Sequence, residues 1–267
     1  MSERIFKLFL TSFKIVILCS IYTKALDRSK SMVPMEGKVV GGSYAKISNF
    51  PHAVFLSMKC GNMNMICGSS IVNQNILVTA AHCLQCKKTF TINAQAGDDN
   101  LKKVTVVRRA TKMKTHPSYS DTTLINDIGL LFLSKNLPLG DTIKRVIIKP
   151  WYPQSLMAYV AGWGVTNDET RSRTLRLKMV TVPLHTNKEC SVVGRIFPGM
   201  LCAGTLHTTK NRPSRGDSGS ALIAANHQLL GLVSFRTQPH VALLIYTNVS
   251  YYYSWMQKAA KQLYCTN

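Results

Sequence analysis

Acidic side chains are scarce in this sequence. Its 267 residues include 12 Asp and Glu against 33 Lys and Arg, a formal net charge of +21 at neutral pH. The imbalance persists without the N-terminal segment, since 26 basic and nine acidic residues follow Lys38. A charge of this sign favours anionic partners such as glycans, nucleic acid or acidic proteins, but it says nothing about the fold. No nucleic-acid-binding motif accompanies it, so nucleic acid is not expected as a partner.

The basic residues gather in three clusters, which leave two interpretations open. One is an ordinary solvated face, and the other is a site for a polyanion such as a glycan. The clusters comprise Lys102, Lys103, Arg108, Arg109, Lys112 and Lys114; Lys144, Arg145 and Lys149; and Arg171, Arg173, Arg176 and Lys178.

Long apolar runs are also missing. The apolar run near the N-terminus covers residues 15–22, and its eight residues are far fewer than the roughly 20 that span a bilayer. Arg4 and Lys7 precede this run, and small residues follow it up to Ala25. This pattern predicts a cleaved secretory signal peptide at residues 1–25 and no membrane span. Export to an oxidising, extracellular compartment favours disulfides over zinc sites for the cysteines.

The sequence contains no internal repeat, no low-complexity tract and no evident metal or cofactor site. The stretch Asp98-Asp99-Asn100 is the one acidic cluster that we considered for calcium. Two neighbouring acids make a weak case for a calcium site, and a plain turn explains them as well. We therefore expect neither a metal nor a cofactor.

Short apolar or alternating runs, broken by Gly, Asn and Pro, predict many antiparallel strands. They form two series, at 53–56, 69–72, 76–79, 104–107 and 128–133, and at 157–161, 177–182, 221–224, 229–234 and 243–246. The proline-flanked segment 150–153 separates the series, which suggests two barrels joined by a linker. Trp255, Ala259 and Leu263 share a helical face and predict a terminal helix at about 252–264.

The stretch Arg-Gly-Asp-Ser-Gly-Ser at residues 215–220 suits a nucleophilic serine. A serine hydroxyl needs a neighbouring base and amide donors for the oxygen that it attacks. Flanking glycines allow a sharp turn that brings the amides of Gly216 and Ser218 to one point. Taken alone, the Gly-Asp-Ser-Gly at residues 216–219 is explained more often by an ordinary turn than by a nucleophile. Two further segments add weight, because His82 follows an apolar run and Asp127 begins another.

His82, Asp127 and Ser218, in this chain order, resemble the chymotrypsin/trypsin-like serine protease family, peptidase family S1. The resemblance extends from about Lys38 to the C-terminus. It includes Val-Val-Gly-Gly at 39–42, Gly-Trp-Gly at 162–164, Met-Leu-Cys-Ala-Gly at 200–204, Val-Ser-Phe at 233–235 and Ile-Tyr-Thr at 245–247.

The resemblance implies an all-β protease domain at residues 39–267. Its two six-stranded antiparallel Greek-key barrels would occupy about 39–150 and 151–250, with a C-terminal α-helix and an active cleft between the barrels. A secreted serine endopeptidase is the implied function. Ser218 would attack the peptide carbonyl, His82 would carry the proton, and Asp127 would orient the imidazole.

The resemblance also assigns supporting residues. The amides of Gly216 and Ser218 would form the oxyanion hole, and the Ser234 hydroxyl would support Asp127. Residues 26–38 would be a propeptide, which a trypsin-like protease would cleave after Lys38. The freed ammonium of Val39 would then pair with Asp217, so we expect a zymogen.

Two disulfides are implied by the resemblance: Cys67 with Cys83, and Cys190 with Cys202. Another bridge of the family is absent, because Ser214 stands at one of its positions. Cys60 and Cys86 lie just outside Cys67 and Cys83 in sequence, and this nesting is compatible with a third bridge. Cys265 is then left over, either free or paired with another chain.

Substrate selection departs from the family pattern. Arg212 stands at the pocket floor, where an aspartate would select Lys or Arg, while Arg236 and Leu244 replace glycines that are common on the pocket walls. Arginine on the floor would repel basic side chains and could pair with acidic ones, whereas large wall residues would fill the pocket. Two hypotheses follow: an endopeptidase of narrow, non-trypsin-like specificity, or a weak or inactive homologue that binds partners through its basic surface.

Separately, Asn248 begins the glycosylation sequon Asn-Val-Ser.

Overall fold

The computed structural model describes residues 40–103, 105–151 and 157–265. The predicted signal peptide, the propeptide with Lys38, and Val39 lie outside the described residues. Residues 152 and 153 of the predicted linker also lie outside them. The statements below concern the described residues alone.

Six antiparallel strands close the first barrel, and a short strand β1 (Ser43–Tyr44) precedes them. The six are β2 (Ala53–Cys60), β3 (Met63–Ile71), β4 (Ile76–Thr79), β5 (Phe90–Ala96), β6 (Val106–Thr115) and β7 (Gly129–Leu133). Their order around the barrel is β2-β3-β4-β7-β6-β5, and β5 pairs with β2 again.

The second barrel repeats this topology. Its strands are β8 (Met157–Gly162), β11 (Lys178–His185), β12 (Met200–Gly204), β13 (Ala221–Ile223), β14 (Leu229–Arg236) and β15 (Leu243–Asn248), while β9 (Val165–Asn167) and β10 (Ser172–Arg173) form a separate hairpin. The order is β8-β11-β12-β15-β14-β13 with a return to β8, and β1 pairs with β11 at the edge. The predicted pair of six-stranded barrels is confirmed.

Strand β4 is apolar on both faces because each face meets a different core. Leu77 packs inside the first barrel with Leu56 and Leu131, whereas Ile76 and Val78 face the cluster shared with the second barrel. Alternating residues of a strand point to opposite faces, so a strand between two cores needs an unbroken apolar run. This packing fixes the strand that leads directly into His82.

The C-terminal helix confirms one prediction and corrects another. Helix α1 (Asn187–Cys190) is a single turn, and α2 (Tyr253–Cys265) is the long terminal helix. Its buried residues are Met256, Ala259 and Leu263, while Trp255, which we placed on the buried face, is only half-buried. Two of the three predicted residues are buried, and Met256 takes the place of Trp255 in the cluster shared by the barrels. Among the described residues, no helix is both long enough and apolar enough to cross a membrane.

One member of the predicted basic clusters is not on the surface. Lys178 is 1% exposed, its Nζ donates to the Gly42 carbonyl at 3.3 Å, and it lies 4.0 Å from the centre of the Tyr44 ring. Burial of the ammonium is compensated by these contacts. Lys178 therefore contributes to packing beneath β1 and offers nothing to a polyanion.

Candidate active site

His82 lies on a 3₁₀ turn, Ala81–Leu84, that directly follows β4. The next residue, Cys83, is disulfide-bonded to Cys67 of β3. The His82 side chain is 26% exposed, so one edge of the imidazole is accessible to a substrate. The turn is thus held by the buried strand on one side and by a covalent bond on the other.

A second disulfide joins Cys60, the last residue of β2, to Cys86, just beyond the same turn. Nesting in the sequence suggested this pair. The third disulfide links Cys190 to Cys202, and the Cys265 thiol is exposed and has no disulfide partner among the described residues. The histidine turn is therefore fastened to both β2 and β3.

Removing the Cys60–Cys86 bridge should lower the free energy of unfolding more than it lowers the rate of peptide hydrolysis. The bridge spans 26 residues, and closing a loop of this length in the unfolded chain corresponds to about 3 kcal/mol. Urea unfolding of the Cys60→Ala, Cys86→Ala double variant under oxidising conditions measures the loss. A double variant as stable as the wild type would contradict the prediction.

Asp127 lies two residues before β7 and is 1% exposed. Its Oδ1 accepts from the backbone N–H of His82 at 2.8 Å, and its Oδ2 lies 2.8 Å from His82 Nδ1. The Ser234 hydroxyl donates to the same Oδ2 at 2.5 Å, and the Thr247 hydroxyl donates to the Asp127 carbonyl at 2.7 Å. A carboxylate accepts but does not donate, so the proton sits on Nδ1 and leaves Nε2 free to act as a base.

Ser218 lies in a tight turn between β12 and β13. Gly216 adopts a φ of 93°, which side chains rarely tolerate, and a Cβ atom on Gly219 would collide with the Thr79 hydroxyl at the end of β4. The Ser218 carbonyl accepts from the Gly68 amide at 2.8 Å, and Gly68 directly follows Cys67. The serine turn is therefore attached to the strand that is disulfide-bonded to the residue after His82.

Two amides in this turn remain available as donors. Within the described residues, neither the Gly216 amide nor the Ser218 amide donates a hydrogen bond to protein. Unpaired amides beside a candidate nucleophile are what an oxyanion hole requires. Both amides are the ones that the resemblance assigns to this role.

Asp217 is buried beside the candidate nucleophile. It is 1% exposed and accepts from the amides of Gly164 at 2.8 Å and Ser214 at 2.9 Å. Burial raises the pKa of its carboxyl to about 6, although the two amide bonds oppose the rise. No cationic side chain contacts this carboxylate in the part of the chain that the structure describes. Val39, its predicted partner, lies outside that part.

Asp168, which the sequence analysis did not identify, pairs with two of the predicted pocket residues. Arg212 is 5% exposed, and its backbone amide donates to the Val40 carbonyl at 3.2 Å. Its Nη2 lies 2.7 Å from Asp168 Oδ2, and Arg236 Nη2 lies 2.9 Å from the same oxygen. The Ser214 hydroxyl donates to Asp168 Oδ1 at 2.5 Å. We expected two free positive charges at Arg212 and Arg236. Because one carboxylate pairs with both, neither arginine lacks a counter-charge.

Burial alone would raise the pKa of Asp168. Hydrogen bonds from Ser214, Arg212 and Arg236 outweigh that effect and lower the pKa to about 2. Leu244, the other predicted wall residue, is 3% exposed and packs in the core of the second barrel with Tyr246. Its side chain therefore belongs to the interior of the barrel.

Two groupings could be considered as metal ligands among the described residues: the cysteines beside His82 and the acidic pair Asp98 and Asp99. Cys67 and Cys83 lie close to His82, but they share a disulfide and so offer no thiolate. In the acidic pair, Asp98 accepts from the Asn100 amide at 2.8 Å, and Asp99 pairs with Arg176 at 3.4 Å. These contacts are those of a turn and a surface ion pair.

Asn248 is the last residue of β15 and is half-buried. Its Oδ1 accepts from the Ser250 hydroxyl at 2.7 Å. The Asn248 side chain is therefore only partly accessible.

Comparisons with known proteins place the chain in a family. The family model described as Trypsin matches residues 39–256. Trypsin alpha-4 of Lucilia cuprina is 32% identical over 263 residues, covering 93% of this chain and 98% of the relative. Mast cell protease 3 of Ovis aries is 32% identical over 240 residues, covering 85% and 90%.

A solved structure titled HL collagenase matches with a TM-score of 0.72 and 22% identity, over 82% of this chain and 97% of that one. At this identity the match supports the two-barrel fold alone. The family model and the relatives carry the assignment further: the chain belongs to the trypsin family of serine proteases.

Proposed function

We propose that this chain is a secreted serine endopeptidase, made as a zymogen, with narrow and non-trypsin-like specificity. The observation that carries the proposal is the bonding of Asp127, which holds His82 through both its backbone and its Nδ1. Such an arrangement leaves Nε2 as a base for Ser218, which the neighbouring turn presents.

The chemistry follows from these atoms. Ser218 Oγ attacks the carbonyl carbon of the peptide while His82 Nε2 takes the hydroxyl proton. The amides of Gly216 and Ser218 receive the negative charge that develops on the carbonyl oxygen. His82 then gives its proton to the leaving amine, and water completes hydrolysis of the acyl-enzyme by the same steps. Asp127 stabilises the imidazolium without taking its proton.

The specificity differs from that of a trypsin. A Lys or Arg substrate side chain would meet Arg212 and Arg236, which share a single carboxylate, and the excess positive charge would repel it in a partly dry site. We therefore propose a restricted set of protein substrates.

Secretion and activation are part of the same proposal. Three disulfides favour an oxidising compartment. Cleavage after Lys38 by a trypsin-like protease would supply the cation that the buried Asp217 lacks among its described neighbours. Basic residues that stay on the surface, such as Arg109 and Lys144, could attract a glycan polyanion.

The alternative, a weak or inactive homologue that acts by binding, is not favoured. Its support was the crowded pocket, whereas the three predicted catalytic residues are all present and the relatives are trypsins and a mast cell protease.

A fluorophosphonate probe tests the proposal. It reacts with an activated serine and does not need a matching peptide. We expect the Lys38-cleaved protein to be labelled at Ser218, and the Ser218→Ala variant to be secreted but unlabelled, since the change removes one oxygen. Absence of labelling in the cleaved wild type would contradict an active protease, and labelling of Ser218→Ala would show a different nucleophile.

A further inference from the structure

Asp168 is bound as a substrate carboxylate would be bound. It begins the turn between β9 and β10, in which the Asn167 side chain accepts from the amides of Glu169 at 2.8 Å and Thr170 at 3.0 Å. This turn places the carboxylate within 3 Å of Arg212, Arg236 and Ser214. Neighbouring Glu169 is exposed, so the turn selects one of two adjacent acids.

The carboxylate bridges two separate segments. Arg212 and Ser214 precede the Ser218 turn, whereas Arg236 ends β14, two residues beyond the Ser234 that supports Asp127. A group within hydrogen-bond distance of both segments lies between them. Arg212 and Arg236 are also the residues that the resemblance assigns to the specificity pocket.

The two arginines have further capacity for an anion. The Nη1 atoms of Arg212 and Arg236 are both buried without a partner among the described residues. A guanidinium presents five donors and pairs best with a carboxylate through two of them. One carboxylate shared by two guanidinium groups therefore leaves the site short of negative charge.

We propose that Asp168 is an internal occupant of the specificity pocket, which excludes substrates until an acidic side chain displaces it and takes its place on Arg212 and Arg236. The inference rests on the proposed protease function and specifies its substrates as proteins cleaved after Asp or Glu. Displacement is feasible because the Asp168 side chain is 29% exposed and lies on a hairpin turn outside both barrels.

A competing carboxylate, not a change of pH, would displace Asp168 from the two arginines. With a pKa of about 2, Asp168 stays ionised through the neutral and mildly acidic range. An incoming carboxylate makes the same charge-assisted bonds, so the exchange conserves charge at the arginines. The fraction of molecules with an open pocket then scales the apparent affinity for a substrate.

The test compares Asp168→Ala with Glu169→Ala, which removes the same charge from the next residue. For peptides with Glu or Asp at the cleaved position, we expect Asp168→Ala to raise kcat/KM by about tenfold through KM, as for a pocket closed in about nine molecules of ten. Glu169→Ala should leave kcat/KM for the same peptides within about twofold of the wild-type value. An equal gain in both variants, no gain, or an equal gain on peptides with Leu at that position would overturn the inference.

Binding gives a second readout that does not depend on catalysis. In the Ser218→Ala background, calorimetry with N-acetylglutamate should show tighter binding when Asp168→Ala is added. The affinity for N-acetylglutamine should not increase. This result can be obtained even if the wild type fails to react with the fluorophosphonate, so the two proposals fail separately. If N-acetylglutamate does not bind the double variant, the arginines are not a carboxylate site.

Folding is controlled in the same series. Removing Asp168 leaves two arginines unpaired, and acetate should raise the Tm of Asp168→Ala while leaving the wild type and Glu169→Ala unchanged. Asp168→Asn, which keeps the shape of the side chain, serves if the alanine variant is poorly folded. Instability of both variants without rescue by acetate would mean that Asp168 only holds the fold, and would overturn the inference.

Discussion

Replacing Asp127 with asparagine should lower kcat by about 10⁴-fold, the size known for a wrong imidazole tautomer in this type of triad. The carboxylate accepts from both the backbone amide and the Nδ1 of His82. An asparagine amide facing Nδ1 would donate a hydrogen bond there, which would place the proton on Nε2. His82 could then no longer accept a proton from Ser218.

Steady-state and probe-labelling rates of Lys38-cleaved Asp127→Asn would measure this loss. Its KM should change little, because Asp127 is buried and does not touch substrate. Ser234→Ala is a matched comparison, since it removes only the third hydrogen bond to the carboxylate. Hydrogen bonds to charged groups contribute about 1.5 to 3 kcal/mol, so we expect a loss of roughly 10- to 100-fold. An Asp127→Asn variant with near-normal kcat would remove Asp127 from the mechanism.

The candidate catalytic residues could be proposed from the sequence because the features that suggest them are local. Ser218 needs glycines beside it, and His82 needs a buried strand and a cysteine next to it. Each requirement occupies a few consecutive residues and is readable in one dimension. The third disulfide was readable for a similar reason, since Cys60 and Cys86 flank an already constrained loop.

Asp168 could not be predicted because its role depends on a contact over more than 40 residues of sequence. Its neighbours Asn167 and Thr170 are ordinary turn residues, and adjacent Glu169 carries the same charge. Only the hairpin geometry distinguishes the two acids. One signal was available: two arginines at predicted pocket positions need a counter-charge, and acidic residues are scarce in this chain.

The barrels and the terminal helix show a similar limit. The second barrel repeats the strand order of the first, yet the sequence shows no repeat, because closing a barrel requires an alternating pattern and not particular residues. The sequence patterns did not predict strands β5 and β12. For β5, the reason is that it contains several polar residues. The spacing of Trp255, Ala259 and Leu263 did not indicate Met256, which is buried in the cluster shared by the two barrels, whereas Trp255 is only partly buried there.

Replacing Lys38 with glutamine should leave the protein inactive after treatment with a trypsin-like protease. The reason lies in Asp217, whose buried carboxyl has its pKa raised from 3.8 to about 6 in the full chain. A rise of this size corresponds to about 3 kcal/mol of unfavourable free energy when the group is ionised at neutral pH. A new ammonium at Val39 would remove this cost by pairing with the carboxylate.

The pH dependence of stability follows from the same carboxyl. Because its folded pKa lies above the ordinary value, the folded, uncleaved chain binds this proton more tightly than the unfolded chain does. Its contribution to stability is complete below about pH 4 and is lost as the pH rises through about 6. Pairing with Val39 would lower the folded pKa, so cleavage should stabilise the protein at pH 7.5 much more than at pH 4.5.

Thermal unfolding at these two pH values, before and after protease treatment, measures the effect alongside probe labelling. Wild type and Lys46→Gln, which alters an exposed lysine eight residues downstream, should both gain Tm at pH 7.5 and become labelled. Lys38→Gln should do neither, because without cleavage Asp217 keeps only the amides of Gly164 and Ser214 as partners among its described neighbours. Full labelling of Lys38→Gln would mean that the oxyanion turn is ordered without a new terminus, and the zymogen proposal would then be wrong.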